Sequence, residues 1–289
     1  MKLLIFTDYD LDGAGSALFI KWLYKDRLTD LTVIETTEGT LVNEFRNYEH
    51  TLDHFDKVFI LDLDLNREQI AYVDRSNVVV VDHHTPHARN KHLYKKAKAV
   101  IQEFSSCINL LYSKFGSAVN LTDSQEELVK YIDDYDSYIL KHKDSLKLNA
   151  IYRTYNNPKT LKFIEAFGDG FRPYSVLEKN GIKLFINKFK EQLNNQVFTG
   201  TIKNYKTVSI FANYAISEVA HYIISKNNAD IGIVINLDTK TVSFRRSKTS
   251  EVDVSVLAET LCGGGGSPAA AGGNLTEKFA NLTKNFTPC

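Results

Sequence analysis

The chain of 289 residues has little of what marks disulfide-rich or membrane proteins. Its three cysteines, Cys107, Cys262 and Cys289, have neither metal-ligand spacing nor the even number of a disulfide framework, so free thiols in a reducing compartment are expected. No hydrophobic run approaches the length of a membrane span, and the Met1-Lys2 start has no signal-peptide pattern. We therefore expect a cytoplasmic protein without a membrane partner.

The chain also lacks an excess of either charge. Its 35 basic and 35 acidic residues cancel, so no overall positive field indicates a nucleic-acid-binding protein. The 43% hydrophobic and 24% charged residues are typical of a globular protein, and the length suits two domains. A polyanionic substrate would have to meet a local basic patch or positive charge supplied by bound metal ions.

Short hydrophobic runs alternate with helical patterns in the first half, which predicts a parallel sheet covered by helices. The strands are predicted at 2–6, 31–35, 58–61 and 78–81, and the helices at 13–24 and 67–74. A helical stretch follows from 121 to about 198, with a capping start at Ser124 and Glu127. The polar segment 194–205 precedes strands at 208–212, 231–236 and 241–244 and a helix at 216–226. We predict an α/β protein with a domain at 1–195 and a smaller α/β domain at 205–289.

Acidic residues and histidines follow three of the predicted strands. Because the carboxyl ends of parallel strands meet at one edge of the sheet, we expect these side chains to lie together. Crowded carboxylates and imidazoles are costly unless cations neutralise them, and Mg²⁺ and Mn²⁺ favour such ligands. The sequence thus predicts a multinuclear metal site. The three clusters are Asp8, Asp10 and Asp12, then Asp62 and Asp64, then Asp82-His83-His84.

Each cluster also has a structural interpretation. An extended segment would point Asp8, Asp10 and Asp12 the same way, but a lone Asp-x-Asp is more often a solvated loop. Asp62 and Asp64 could lie on the surface of an edge strand. Two adjacent histidines cannot both point inward, so we expect one to bind metal and the other to reach into a cleft. A fourth cluster at 131–136 would, by itself, be an exposed helix end.

Taken in order, these motifs resemble the four motifs of the DHH phosphoesterase family, with Asp134 as the helix-borne fourth. The C-terminal half resembles the DHH-associated substrate domain of that family through the segments 217–221, 242–247, 253–255 and 263–272. The resemblance does not cover the long helical middle. It implies a parallel-sheet metal-binding domain, a smaller substrate-binding domain and an active site in the cleft between them.

The resemblance also implies a hydrolase with two Mn²⁺ ions, Mg²⁺ being possible, that activate water for attack on phosphorus. It implies that Asp62 bridges the metals, that His84 contacts the phosphate or leaving group, and that Asp82 orients His83. Family register alone selects Asp134 over Asp133 and Asp136. The implied metal ligands are Asp8, Asp10, Asp12, Asp62, His83 and Asp134.

The second domain is expected to bind substrate phosphate. Arg245 and Arg246 would clamp a phosphate with planar guanidinium groups. The glycines before Ser267 would lead into a helix capped by Ser267 and begun by Pro268, which would expose backbone N–H groups. The glycines concerned are Gly264, Gly265 and Gly266. An engineered flexible linker at 263–267 is the alternative.

Two positions depart from the family pattern. Phe6 stands where many members have a metal-binding histidine, and Asp8 is the expected replacement ligand. Ser267 stands where the family has a histidine that helps to hold substrate phosphate.

The leading function is a metal-dependent exonuclease that acts on single-stranded or short oligonucleotides. One alternative is a hydrolase of cyclic dinucleotides or other small phosphoesters, and another is a nucleic-acid-binding protein with weak catalysis. The acidic motifs favour an enzyme, because a pure binder gains nothing from repelling a phosphate backbone. The choice between DNA and RNA and the oligomeric state stay open.

Overall fold

The structure of the protein, a computed structural model, describes residues 1–288 and divides the chain into two units. Unit 1 comprises Met1–Ile182, and unit 2 begins at Lys183. Cys107 and Cys262 are buried free thiols, as predicted, whereas Cys289 lies outside the described residues. No helix among residues 1–288 is both long and hydrophobic enough to cross a membrane.

Unit 1 is built on a five-stranded parallel sheet in the order β2-β1-β3-β4-β5. Its strands are β1 (Lys2–Thr7), β2 (Asp30–Glu35), β3 (Lys57–Leu61), β4 (Val78–Asp82) and β5 (Lys98–Ile101). Its helices are α1 (Leu11–Tyr24), α2 (Leu41–Asn47), α3 (Arg67–Val73), α4 (Thr85–Asn90), α5 (Cys107–Val119), α6 (Asp123–Asp136), α7 (Lys143–Thr154), α8 (Lys159–Ala166) and α9 (Val176–Gln192), the last of which continues into unit 2. Single 3₁₀ turns lie at Leu52–His54 and Lys91–Leu93.

The predicted strands of unit 1 are confirmed. The hydrophobic runs of β1, β3 and β4 are buried on both faces of the sheet, whereas the edge strand β2 is mostly half-buried. Every residue of β4 is buried, and β3 lies at the centre of the sheet between β1 and β4. The central position of β3 excludes the alternative that Asp62 and Asp64 follow an edge strand. Phe6 is fully buried and contacts the rings of Phe45 and Tyr48, so it fills the core.

Helix α1 begins at Leu11, two residues earlier than predicted. Asp10 caps it by accepting a hydrogen bond of 2.8 Å from the N–H of Gly13. A Cβ on Gly13 would lie 2.6 Å from the carbonyl oxygen of Asp8, so glycine lets the helix begin this close to the end of β1. The segment from Asp8 to Asp12 is therefore not extended, which corrects the expectation that its three carboxylates point the same way.

Helix α6 also begins earlier than predicted. Thr122 is its N-cap and forms a capping box with Gln125, in place of the predicted pair Ser124 and Glu127.

Unit 2 contains a seven-stranded sheet in the order β10-β11-β9-β8-β7-β6-β12, in which β7 and β8 are parallel and the other neighbours antiparallel. The predicted strand–helix–strand–hairpin sequence is confirmed, but β6 and its turn occupy the segment 194–205 that was predicted as a polar boundary. The elements are β6 (Val197–Ile202), β7 (Tyr205–Phe211), α10 (Ile216–Asn227), β8 (Ile231–Asn236), β9 (Thr241–Arg246), α11 (Val254–Cys262), β10 (Gly265–Gly266), β11 (Ala270–Asn274), α12 (Glu277–Thr283) and β12 (Thr287–Pro288).

The glycine-rich segment forms a hairpin, so the predicted helix at Pro268 is wrong. Ser267 and Ala270 close the turn between β10 and β11 with backbone hydrogen bonds of 2.8 and 3.2 Å. Strand β11 pairs with β9, and this sheet pairing replaces the helix. A Cβ on Gly264 would lie 2.0 Å from the carbonyl oxygen of Gly272, which shows how closely the two backbones approach.

Candidate metal centre

Three carboxylates from distant parts of unit 1 surround one nitrogen of His83. The Nε2 atom of His83 lies 3.3 Å from Asp62 Oδ1, 3.6 Å from Asp136 Oδ2 and 3.8 Å from Asp12 Oδ2. Asp12 comes from the first turn of α1, Asp62 and His83 follow β3 and β4, and Asp136 ends α6. The expected meeting of the motifs at the carboxyl edge of the sheet is confirmed. His84 joins Asp62 and His83 in a second group spaced to hold a metal ion.

Helix α5 holds Asp12 in place from behind. The two carboxylate oxygens of Asp12 accept hydrogen bonds of 2.6 Å from the N–H of Cys107 and 2.9 Å from that of Ile108. Both donors lie in the first turn of α5, where the helix dipole favours a negative charge. Burial nevertheless raises the pKa of Asp12 to about 6, against the opposing effect of His83. The Asp12 carboxylate is thus held in a fixed position, and burial disfavours its charged form.

Asp62 is the least satisfied member of the centre. Its backbone has a φ of 59°, in the left-handed region that non-glycine residues seldom adopt. Its Oδ1 atom is buried and has no hydrogen-bond partner among residues 1–288, since His83 lies within ion-pair distance but outside hydrogen-bond geometry. Burial and the charges of Asp12 and Asp10 raise the pKa of Asp62 well above its usual range. A cation would provide the missing partner, so these residues fit a metal site.

His83 is oriented by a backbone carbonyl group. Its Nδ1 atom lies 3.2 Å from the carbonyl oxygen of Phe104, which leaves Nε2 facing the carboxylates. Burial by itself lowers the pKa of His83, but Asp62, Asp12 and Asp136 outweigh burial and raise it to about 11. Without a metal ion, His83 is therefore protonated, and its positive charge offsets part of the negative charge of these carboxylates.

Asp82 pairs with His84 and His87, which corrects the prediction that it orients His83. Its Oδ1 atom lies 2.7 Å from His84 Nδ1, and its Oδ2 atom lies 2.8 Å from His87 Nδ1. These two hydrogen bonds outweigh the effect of burial and hold the pKa of Asp82 below its usual range. The rings of His83 and His84 lie beside each other, with centroids 4.4 Å apart and an angle of 44° between their planes.

His87 was missed in the sequence analysis. The sequence did contain a signal for it, since His87 is a third histidine three residues after His84. If a helix begins after the strand, this spacing of about one turn places both histidines on the same side of the helix.

The structure places Asp136 in the centre and turns Asp134 away from it. The carboxylate of Asp134 accepts hydrogen bonds from three donors in the segment that follows α6: the N–H groups of Lys141 and His142, both at 2.9 Å, and the hydroxyl of Ser145 at 2.6 Å. Since Asp134 already has these partners, we replace it by Asp136 in the ligand set. Asp134 and Asp136 point to different sides of α6, because residues two positions apart on a helix do not share a face.

Asp133, the third candidate in this motif, also has other partners. Its Oδ1 atom accepts hydrogen bonds of 2.5 and 2.7 Å from the hydroxyl groups of Ser105 and Ser106. Asp133 therefore ties the end of α6 to the segment before α5 rather than facing His83.

The remaining acidic residues surround this centre. Asp10 is exposed and caps α1, but its charge adds to the effect of burial in raising the pKa of Asp12, Asp62 and Asp136. Burial and the charge of Asp10 raise the pKa of Asp8 to about 7. Asp64 lies beside Asp82 and His87 in a separate group. Roles for Asp8 and Asp10 as metal ligands stay predictions.

Arg245 and Arg246 point to opposite faces of the unit 2 sheet, because successive residues of a strand alternate. Arg245 donates a hydrogen bond of 2.8 Å to the hydroxyl of Ser217 on α10. Arg246 lies on the face that carries the buried Val242 and Phe244, and its charge acts on Asp253, the N-cap of α11. The prediction that the two arginines clamp one phosphate is therefore corrected.

The glycine hairpin offers one open position. Gly266 has a φ of 138°, and a Cβ there would lie 2.5 Å from the carbonyl oxygen of Ala270. A Cβ on Gly265 would meet nothing within 4 Å. Ser267 uses its hydroxyl oxygen to accept a hydrogen bond of 3.1 Å from the N–H of Ala270, so it is a turn residue rather than a helix cap.

Comparison with known families agrees with this arrangement. Residues 2–143 match the family model described as the DHH family, N-terminal domain. The N-terminal part of the chain thus belongs to the DHH family, and the resemblance carried by its motifs is confirmed. Members of this family are metal-dependent phosphoesterases. No curated protein sequence matches the chain significantly.

Several solved structures share the fold. The pGpG-specific phosphodiesterase PggH from Vibrio cholerae matches with a TM-score of 0.61 and 16% identity over 98% of this chain and 96% of that chain. An exopolyphosphatase-related protein from Bacteroides fragilis matches with a TM-score of 0.54 and 15% identity over 98% and 90%. RecJ from Thermus thermophilus in complex with Mn²⁺ matches with a TM-score of 0.56 and 12% identity over 99% and 53%. At these identities the matches establish the α/β fold.

Proposed function

We propose that the protein is a Mn²⁺-dependent phosphodiesterase that removes nucleotides from short or single-stranded oligonucleotides. The observation that carries this proposal is the convergence of Asp12, Asp62 and Asp136 on His83 Nε2, with a buried oxygen of Asp62 left without a hydrogen-bond partner in the described part of the chain. Such a cluster is destabilising for the folded protein unless cations bind there.

The proposed metal ligands are Asp12, Asp62, His83 and Asp136, with Asp8 and Asp10 completing the sites of two ions. Asp62 would be the ligand shared by two ions, since it belongs to the group with His83 and His84 and since burial and the charge of Asp12 raise its pKa. When bound, such ions polarise a phosphoryl oxygen and make water a better nucleophile near neutral pH. The chain contributes the fixed positions of the ligands, which helix α5 and the Phe104 carbonyl hold in place.

His84 is the proposed contact to the phosphate or the leaving group. Its Nδ1 atom is engaged by Asp82, so Nε2 is the ring atom available to substrate. Burial lowers the pKa of His84, but Asp82 outweighs burial and raises it to about 10. His84 can therefore donate a charge-assisted hydrogen bond to a phosphate oxygen or to a departing oxygen at neutral pH.

Unit 2 is the proposed phosphate-binding part of the chain, with Arg246 and the glycine hairpin as its main groups. The N–H of Arg246 donates to the carbonyl of Ala269 at 3.1 Å, and the N–H of Val254 donates to that of Pro268 at 3.1 Å. The hairpin turn, Arg246 and the N-terminus of α11 therefore lie together. Arg245 is the weaker candidate, because Ser217 and the Phe244 carbonyl already engage its guanidinium group.

The solved relatives support an oligonucleotide substrate. PggH is named as specific for the dinucleotide pGpG, and another neighbour is an exonuclease, RecJ, bound to manganese. The alternative of a cyclic-dinucleotide or other small phosphoester hydrolase has the same metal centre, so the substrate must be found by experiment.

The test is a panel of labelled substrates incubated with Mn²⁺, namely dinucleotides, short RNA, short DNA, long single strands and cyclic dinucleotides. We expect release of mononucleotides from the short linear substrates and no hydrolysis in the presence of EDTA. His83→Ala should abolish hydrolysis, whereas the matched control His54→Ala, at an exposed histidine, should not. Normal turnover by His83→Ala, or failure to hydrolyse any phosphoester, would contradict the proposal.

A further inference from the structure

Behind His84, four side chains form an unbroken line of hydrogen bonds. The Tyr94 hydroxyl lies 2.8 Å from His87 Nε2, His87 Nδ1 lies 2.8 Å from Asp82 Oδ2, and Asp82 Oδ1 lies 2.7 Å from His84 Nδ1. His87 and Asp82 are both fully buried. The two histidines thus approach the same carboxylate from opposite oxygens.

The acceptor in the middle of this line determines the proton positions. An ionised carboxylate only accepts hydrogen bonds, so both His84 and His87 must donate to Asp82 through Nδ1. His87 Nε2 is then left to pair with the hydroxyl of Tyr94, which takes whichever role that nitrogen requires. Nδ1 of His84 is thereby fixed as a donor to Asp82, and Nε2 faces away from Asp82.

His87 limits how the Asp82 carboxylate can move. Its hydrogen bond occupies Oδ2, to which the backbone N–H of His84 also donates at 3.3 Å. Without His87, a buried carboxylate would lose one of its two imidazole donors and could rotate toward other donors. The His84 ring would then lose a fixed partner, although no metal ligand of the proposed set would be touched.

We propose that His87, supported by Tyr94, is a positioning residue that holds Asp82 so that Asp82 fixes the ring orientation of His84. This inference rests on the proposed role of His84 at the phosphate. The competing interpretation is that His87 is a buried histidine that stabilises α4 and has no effect on the reaction.

Kinetics of three variants separate these interpretations. In His87→Asn, the side-chain amide can replace the Nδ1–H donor to Asp82, whereas His87→Leu has no donor. We expect His87→Leu to lower kcat by about 10–100-fold, as loss of an orienting partner does at metal sites. KM and Mn²⁺ affinity should change by less than about twofold, and His87→Asn should recover most of kcat. Tyr94→Phe should have a smaller effect in the same direction.

The controls address stability. His92→Leu, at an exposed histidine of the following 3₁₀ turn, should leave kcat unchanged. If His87→Leu does not fold, His87→Gln takes its place, because glutamine can pair with Tyr94 while moving the donor away from Asp82. Equal kcat values for His87→Asn and the donor-less variant, at equal thermal stability, would overturn the proposal.

A spectroscopic measurement tests the positioning without catalysis. In ¹⁵N–¹H spectra of the Mg²⁺-loaded protein, the wild-type His84 side chain should show a protonated Nδ1 protected from exchange. The protection should be lost in His87→Leu and retained in His87→Asn. Unchanged His84 signals in His87→Leu would overturn the proposal. If no substrate is hydrolysed, the proposed function fails, while these spectra still decide whether His87 positions His84.

Discussion

Asparagine at position 134 should lower thermal stability, whereas asparagine at position 136 should weaken Mn²⁺ binding. The reason is that the Asp134 carboxylate stabilises the fold, while that of Asp136 belongs to the candidate metal centre. The carboxylate of Asp134 accepts three hydrogen bonds from the segment after α6. That of Asp136 lies 3.6 Å from His83, and burial and the charge of Asp12 raise its pKa well above the usual range. The two residues are two positions apart and carry the same side chain, so each is the control for the other.

The size of each expected effect follows from the contacts of the two carboxylates. Asparagine at 134 has one carbonyl oxygen for donors that now use two, so at least one charge-assisted hydrogen bond of about 1.5–3 kcal/mol is lost. For a domain of this size that corresponds to a fall in Tm of about 3–12 °C. Asparagine at 136 removes a repelled charge, so Tm without metal should not fall. The loss of a carboxylate ligand should instead weaken Mn²⁺ binding about 100-fold, which is about 2.7 kcal/mol.

The assay is thermal unfolding of wild type and both variants in EDTA and across a Mn²⁺ titration. Asp134→Asn should unfold at a lower temperature in EDTA but keep the stabilisation by Mn²⁺. Asp136→Asn should unfold like wild type in EDTA and need about 100 times more Mn²⁺ for the same rise in Tm. The reverse pattern, with Mn²⁺ stabilisation lost in Asp134→Asn and kept in Asp136→Asn, would refute the assignment of Asp136.

Three other outcomes are expected. Burial raises the pKa of Asp12 from 3.8 to about 6, so between these pH values the folded metal-free protein binds more protons than the unfolded chain. Its thermal stability should therefore fall as pH rises from about 4 to 6. Saturating Mn²⁺ should remove this fall, and a flat stability profile in EDTA would contradict the prediction. Arg246→Lys should raise KM several-fold with little change in kcat, whereas Arg245→Lys should change KM less; steady-state kinetics showing the opposite order would refute the assignment. Gly266→Ala should lower Tm because of its φ of 138°, while Gly265→Ala should leave Tm unchanged and raise KM; a Tm loss in Gly265→Ala would be inconsistent with the open space there.

Much of unit 1 could be predicted from the sequence because its signals are local. Runs such as Val78–Val81 are continuous and apolar, which is what a strand buried on both faces requires. The alternation of strands and helices then implies a parallel sheet, and a parallel sheet collects its polar strand ends at one edge. The meeting of Asp12, Asp62 and His83 was therefore foreseeable before any distance was known.

The prediction failed where backbone direction depends on neighbours in space. The glycine segment has the composition of a helix start, but pairing with β9 makes it a hairpin. The adjacent Arg245 and Arg246 looked like a clamp, but the strand turns them to opposite faces. In these cases, sheet pairing decided what local sequence left open.

The fold class of unit 1, the family of its motifs and the sheet edge where the proposed metal ligands gather could all be read from the amino-acid sequence. These depend on periodicity and order along the chain, which are properties of the sequence. Tertiary packing, in contrast, places Asp136 rather than Asp134 beside His83 and pairs Asp82 with His84 and His87. Those choices depend on side-chain direction and on donors brought from distant segments, because a carboxylate turns toward whichever buried donors packing places beside it.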